Sequence, residues 1–183
     1  MRAPLAVLLA AVIGGACADV ERQTLATGAA SFLDSADQVA FQSRTFVPHP
    51  GLLRAEVFAE TTLFLEQNAR IAMRVVSGDF FNAQGSKDAT MVGERANYDS
   101  RTGNLDAWGN VVVTSVDGRV LKSPMIRFEA NRNQITSDSA FVMTEPDGKE
   151  MRGVGFETDP NLSVFTVRRL NRGRGGTVNL SNP

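Results

Sequence analysis

From Leu53 to Val167 apolar side chains recur at alternate positions in short runs, and turn-forming residues interrupt the runs at about ten-residue intervals. A period of two is what a strand with one buried face requires, because successive strand side chains point to opposite sides. No window of a dozen residues carries apolar positions at helical spacing, so the body is expected to be made of strands. The runs place them at 53–58, 62–66, 71–81, 89–98, 105–115, 119–129, 134–145, 149–158 and 163–168. The connectors have turn chemistry. Asp117-Gly118 and Asp147-Gly148 tolerate the positive φ angles of a tight hairpin, so each pair predicts that its flanking strands are antiparallel neighbours.

Two of these hairpins resemble each other at an offset of 30 residues. Tyr98 falls on Phe128, Leu105 on Ile135, Val111 on Phe141, Val113 on Met143, and Asp117-Gly118 on Asp147-Gly148. Parity puts Leu105, Ala107, Gly109, Val111 and Val113 on one face, and Ile135, Ser137, Ser139, Phe141 and Met143 on the corresponding face of the second unit. Long hairpins with their apolar faces turned inward predict an all-β protein, an antiparallel β-sandwich, jelly roll or open barrel. The inward face is either a closed core or a trough, in which case the small Gly109, Ser137 and Ser139 would hold two sheets apart. The alternation alone fits both.

The two ends differ from the body. Arg2 and an apolar stretch from Ala3 to Ala18 have the anatomy of a secretory signal, and the stretch is short for a bilayer span. Ala16-Cys17-Ala18 suits ordinary cleavage, while Gly14-Gly15-Ala16-Cys17 has the form of a bacterial lipobox that would place a lipid on Cys17, the chain's single cysteine. A cleaved, an acylated and a retained N-terminus are the three outcomes. Residues 1–18 are thus an export or anchor segment, 19–37 a polar linker, 38–170 the folded body and 171–183 a flexible Gly- and Arg-rich tail.

Composition removes several classes of function. The formal net charge of −1 offers no basic footprint for nucleic acid. His49, the one histidine, sits between prolines with no partner ligand nearby in sequence, so neither a metal cluster nor a triad base is expected. Asp99, Asp117, Asp147 and Asp159 all fall beside turns, where an aspartate caps backbone amides. No catalytic set and no cofactor motif emerge, and Trp108 is expected on the outer face, opposite in parity to Ala107.

The order of segments is itself familiar. AEVFAE at 55–60, FFNAQG at 80–85, the long run from Ala96 to Asp138 containing Gly109-Asn110-Val111 and Asp117-Gly118 with Leu121, and GVGFETDP at 153–160 resemble the periplasmic LptC-type component of the lipopolysaccharide export system, related to the OstA-like bridge proteins. That resemblance covers about residues 38–168. It implies a twisted, open β-jelly roll whose inner groove takes the acyl chains of lipopolysaccharide from an inner-membrane ABC transporter. It further implies transfer to a periplasmic bridge protein of the same fold through joined sheet edges, without catalysis in the groove. Family members usually begin with a membrane helix, where this chain has Cys17. The resemblance together with the alternation nominates Val111, Val113, Leu121, Ile126, Phe128, Phe141, Met143 and Phe156 as lining or flanking the lipid path. The alternative function is an envelope lipoprotein whose jelly roll binds glycans or acts as a scaffold; one Trp and one Tyr are few aromatics for a glycan binder.

Overall fold

A computed structural model describes residues 36–174. Among the described residues the regular elements are nine strands: β1 (Gln38–His49), β2 (Leu52–Leu65), β3 (Arg70–Phe81), β4 (Lys87–Asp99), β5 (Asn104–Ser115), β6 (Val120–Glu129), β7 (Gln134–Thr144), β8 (Glu150–Thr158) and β9 (Phe165–Arg174). They form one antiparallel sheet in the order of the sequence, and β1 and β9 are its two ends. The expected all-β architecture is therefore present as a single open sheet.

Two strand assignments at the start of the body and one at its end differ from expectation. β2 runs unbroken from Leu52 to Leu65, where 53–58 and 62–66 had been read as separate strands, and β1 was not read as a strand at all. Both differences have one origin: alternation fails inside these strands, because Thr62 and Leu63 are consecutive and both buried, and Phe41 and Phe46 of β1 are exposed. At the other end β9 continues to Arg174, past Leu170, pairing Arg152 with Arg172 and Glu150 with Arg174.

The sheet is not flat, and the reason lies at the middle of each strand. The register places Gln42, Glu60, Val75 and Glu94 side by side across β1 to β4. The same line continues through Gly109-Asn110, Pro124, Asp138-Ser139 and Gly155, where the ladders slip. Gln42, Val75, Gly109, Asn110 and Gly155 all have positive φ. Each such site is a bulge or irregular step that bends its strand. In β3, β4 and β6 it also reverses which parity faces inward. In β3, Ile71 and Met73 are buried before Val75, and Val76 and Phe80 after it. In β6, Leu121 and Ser123 are buried before Pro124, and Ile126 and Phe128 after it.

A line of bends across every strand folds the sheet onto itself along the strand midpoints. The contact of Phe80 with Phe128 demonstrates this, with ring centroids 4.7 Å apart. The two residues are on β3 and β6, three strand spacings or about 14 Å apart in a flat sheet. They meet because Phe80 lies on one side of the bend and Phe128 on the other. The result is two layers cut from one sheet, with every strand contributing to both. One layer presents Val57, Met91, Val113, Leu121 and Met143 to the interior, and the other presents Ile71, Tyr98, Leu105, Phe128 and Ile135; all belong to one contiguous core.

Candidate functional site: the interior between the two layers

All eight nominated positions face this interior. Val111, Val113, Leu121, Ile126, Phe128, Phe141, Met143 and Phe156 are each no more than 3% exposed. Val111, Val113, Leu121, Phe141 and Met143 belong to one layer, and Ile126, Phe128 and Phe156 to the other, as their register partners show. Leu121 and Ile126 have opposite parity, and simple alternation would put one of them outside; the irregular step at Pro124 brings both in. A proline in an interior strand removes a ladder donor, and the β6–β7 ladder is interrupted there between Lys122 and Arg127.

The polar groups released by that interruption are answered locally. Ser123 Oγ donates to the carbonyl oxygens of Met125 (2.9 Å) and Ala140 (3.1 Å), and Ser137 Oγ donates to Met125 O at 2.6 Å. Ser137 Oγ also accepts from Ser139 N–H at 3.1 Å. These serines mend the bend. On the trough alternative Ser137 and Ser139 would be spacers together with Gly109; here Ser137 and the Ser139 amide bond across the interrupted ladder instead. Gly109 has φ +82°, and a Cβ built on it would lie 2.7 Å from the Cβ of Glu94, an exposed residue, so the glycine turns away from the interior and serves the bulge.

The interior is filled where its aromatics gather. Phe141 packs edge-on to Phe156 at 5.3 Å between ring centroids, Phe165 lies 5.2 Å from Phe141, and Phe156 stacks on Phe165 at 5.3 Å. Gly153 is what makes room for the Phe141 ring, since a Cβ there would come within 2.8 Å of Phe141 Cε1 and 2.5 Å of the Arg169 carbonyl oxygen. Toward β9 the core becomes partly exposed: Met151, Phe165 and Val167 pack against it without being fully covered. The interior also includes Met73, Met91, Tyr98 and Leu162, which the sequence reading did not nominate. For Met73 and Met91 the alternation was available, but the reversals at Val75 and Gly93 obscured it; Leu162 lies in a loop and gave no signal.

The charged residues do turn work or sit outside. Asp99 Oδ1 accepts from the amides of Arg101 (2.8 Å) and Thr102 (3.2 Å), and the Arg101 bond is the main cause of its lowered pKa. Asp117 is lowered chiefly by the Ser115 hydroxyl and Asp147 chiefly by Lys149. Asp159 Oδ1 accepts from Ser163 N–H at 2.8 Å and Val164 N–H at 3.0 Å. Among the described residues no three His, Cys, Asp or Glu side chains converge as a metal site. Trp108 lies on the outer face as expected, half-buried between Arg95 and Met125 on the neighbouring strands. A shallow outer depression of 230 Å³ is lined by Arg44, Glu56, Phe58, Ser77, Asp79 and Val92 among others, away from the nominated interior. Cys17 and the proposed export segment lie outside the described residues. Among the described residues no helix is long and apolar enough to cross a membrane.

Comparison with known proteins returned no matching family model. The curated proteins likewise returned no match. Among solved structures the chain is similar to LptH, described as the LptA-homologous periplasmic component of the conserved lipopolysaccharide transport device from Pseudomonas aeruginosa. The TM-score is 0.44 at 14% identity, over 70% of this chain and 88% of that one.

Proposed function

We propose that this protein is a periplasmic lipid-transfer module, accepting lipopolysaccharide from an inner-membrane ABC transporter and passing it to a bridge protein of the same fold. The observation that supports it most is the interior: one contiguous apolar core between two layers of a single sheet, running across the whole set of strands, with β1 and β9 unpaired to each other. An acyl chain in water costs about 0.8 kcal/mol per exposed methylene, so a carrier needs a continuous apolar path of this kind. Methionines favour it further. Met73, Met91, Met143 and Met151 line or flank the space, and their unbranched, polarizable side chains repack around a guest more readily than branched ones. The sheet ends would serve as docking edges through strand addition. An N-terminal lipid on Cys17 would hold the module at the inner membrane. Intact mass spectrometry of the membrane fraction checks this, with a mature terminus at Asp19 as the contrary result.

The scaffold alternative is favoured by one specific observation, the direct packing of Phe80 on Phe128 and of Phe141 on Phe156, which brings the two layers into contact. Photocrosslinking separates the two. Photoreactive residues at Val111 and Phe141, which face inward, are expected to capture lipopolysaccharide in cells, whereas Val112 and Val142, which face outward, are not. Capture from the outward pair alone assigns the lipid to the wrong face, and capture from none leaves the scaffold.

A further inference from the structure

We infer that the β8–β9 loop, residues 159–164, is a displaceable plug in the mouth of the interior, and that Leu162 occupies the place an acyl chain takes on entry. The inference rests on the lipid-carrier reading and concerns how that site is reached. The mouth is the gap between the turns that end one layer and the turns that end the other. Along it, the β8–β9 loop sends Leu162 inward until 1% of its surface is exposed, and Leu162 joins the same contiguous core as Leu121, Phe128 and Met143. Pro160 beside it is also buried, whereas Val164 is 69% exposed, so the loop dips in and returns.

The plug is held by few bonds, and some of its features favour release. Leu162 has φ +57°, a left-handed conformation that residues with a Cβ avoid. The Asn161 side-chain oxygen is buried with no hydrogen-bond partner. Opening the loop would relieve both, returning Leu162 to ordinary backbone space and Asn161 to water. What closes the mouth is a contact across it: Arg119 Nη1 donates to Asn161 O at 3.5 Å, a long bond, while Arg119 Nε is held by Glu145 Oε2 at 3.1 Å. Arg119 thus joins two turns of one layer and reaches the loop of the other. The loop itself is kept in one piece by Asp159, which accepts from Ser163 N–H and Val164 N–H, with Leu162 N–H bonded to Asp159 O at 3.0 Å. A stapled loop with one weak cross-mouth contact moves as a unit. A single apolar side chain filling the mouth is matched by a ligand of the same chemistry, an unbranched acyl chain, and by little else.

The test uses the full chain and a lauroyl chain carrying a fluorophore. Amide hydrogen exchange is followed at Asn161–Val164 with and without the tagged chain, alongside equilibrium binding to the wild type, Leu162→Gly and Arg119→Ala. Binding is expected to speed exchange in the loop. Leu162→Gly removes the competing side chain, so apparent affinity should rise by roughly tenfold, in proportion to the fraction of open mouths. Arg119→Ala, which removes the contact across the mouth together with the guanidinium's bonds to Asp117 and Glu145, should raise it in the same direction and keeps the inference open to refutation where the glycine variant unfolds. If the wild type binds the tagged chain while loop exchange and the affinities of both variants stay unchanged, the plug is refuted and the carrier reading stands. If neither the wild type nor either variant binds the chain, the carrier reading fails and the plug with it.

Discussion

Coupling between Phe80 and Phe128 is the sharpest measure of the folded sheet. The rings are 4.7 Å apart and both are fully buried. Replacing either by leucine keeps the site apolar and should cost about 1 kcal/mol, the usual range for a shape change in a packed core. An aromatic pair in contact is worth about 0.5–1.5 kcal/mol beyond the area it buries, so the first substitution already forfeits the pair and the second loses less than it would alone. With a urea m-value of about 2 kcal/mol/M, each single variant should lower the unfolding midpoint by roughly 0.5 M. The double variant should then fall short of the summed loss by about 0.25–0.75 M. In a flat sheet the strand spacing alone would keep the same residues at least about 14 Å apart, and their places on opposite sides of the bend line would add to it, beyond the distance at which substitutions normally couple. Chemical denaturation of the four proteins decides it. Additivity within about 0.3 kcal/mol would mean that the rings do not touch and that the strands do not bend at their midpoints.

Other expectations follow from the same geometry. Gly153→Ala should destabilise by about 1–3 kcal/mol because the new methyl meets a backbone carbonyl as well as the Phe141 ring. Combining it with Phe141→Leu should restore only part of the loss, and full restoration would mean that the carbonyl contact is not there. Tyr98, the single tyrosine, has its pKa raised, first by burial and then by Asp99. Its phenolate absorbance should therefore appear above the usual value of about 10; since the unfolded chain loses that proton first, stability should fall as pH rises past that value. A tyrosine titrating normally would signal water on the inner face at β4. Asp99, Asp117 and Asp147 have lowered values, so the stability they contribute is present above the ordinary carboxylate pKa of about 4 and is lost as pH falls through their lower folded values. Replacing Asp117 by Asn should flatten that acid limb of the thermal unfolding profile, and an unchanged limb would contradict the assignment.

The strands and their antiparallel order were legible because alternation and Asp-Gly turns are local signals, and β5 to β8 carry both. The interior positions of β5 and β7 were legible for the same reason: Val111, Val113, Phe141 and Met143 keep the parity of Leu105 and Ile135 across the bend. In β3, β4 and β6 that parity reverses at Val75, Gly93 and Pro124, and nothing in the run of hydrophobic residues announces the reversal beforehand. The use of Gly109, Ser137 and Ser139 was not legible, because a small residue in a strand has two uses, a gap between sheets or a bend within one, and only the backbone tells them apart. The filled state of the interior was not legible either, since contact between layers depends on which strands face each other.

The bends also account for the 30-residue repeat. Were the sheet folded between strands, each layer would own its strands, and a hairpin would furnish one wall. Here every strand crosses from one layer to the other at its midpoint, so a single hairpin furnishes a rung of both walls. Asp117-Gly118 and Asp147-Gly148 then fall on one rim of the mouth, while the turns after Asp99 and Glu129 fall on the other. One repeat is a complete cross-section of the interior. Its width is set by the position of the bend within the strand, and its length by the number of strands, at about 4.8 Å each. A strand added at β1 or β9 would therefore extend the interior without altering its bore, provided that it bends at the same place. The requirement falls on Gln42 at one end and on the Gly155–Arg168 step at the other, where the line of bends reaches the unpaired edges. A partner whose edge strand is straight would pair with one layer only, leaving the other layer's edge open; for any protein that continues this interior, matching the bend is as much a condition of docking as the hydrogen bonds of the edge itself.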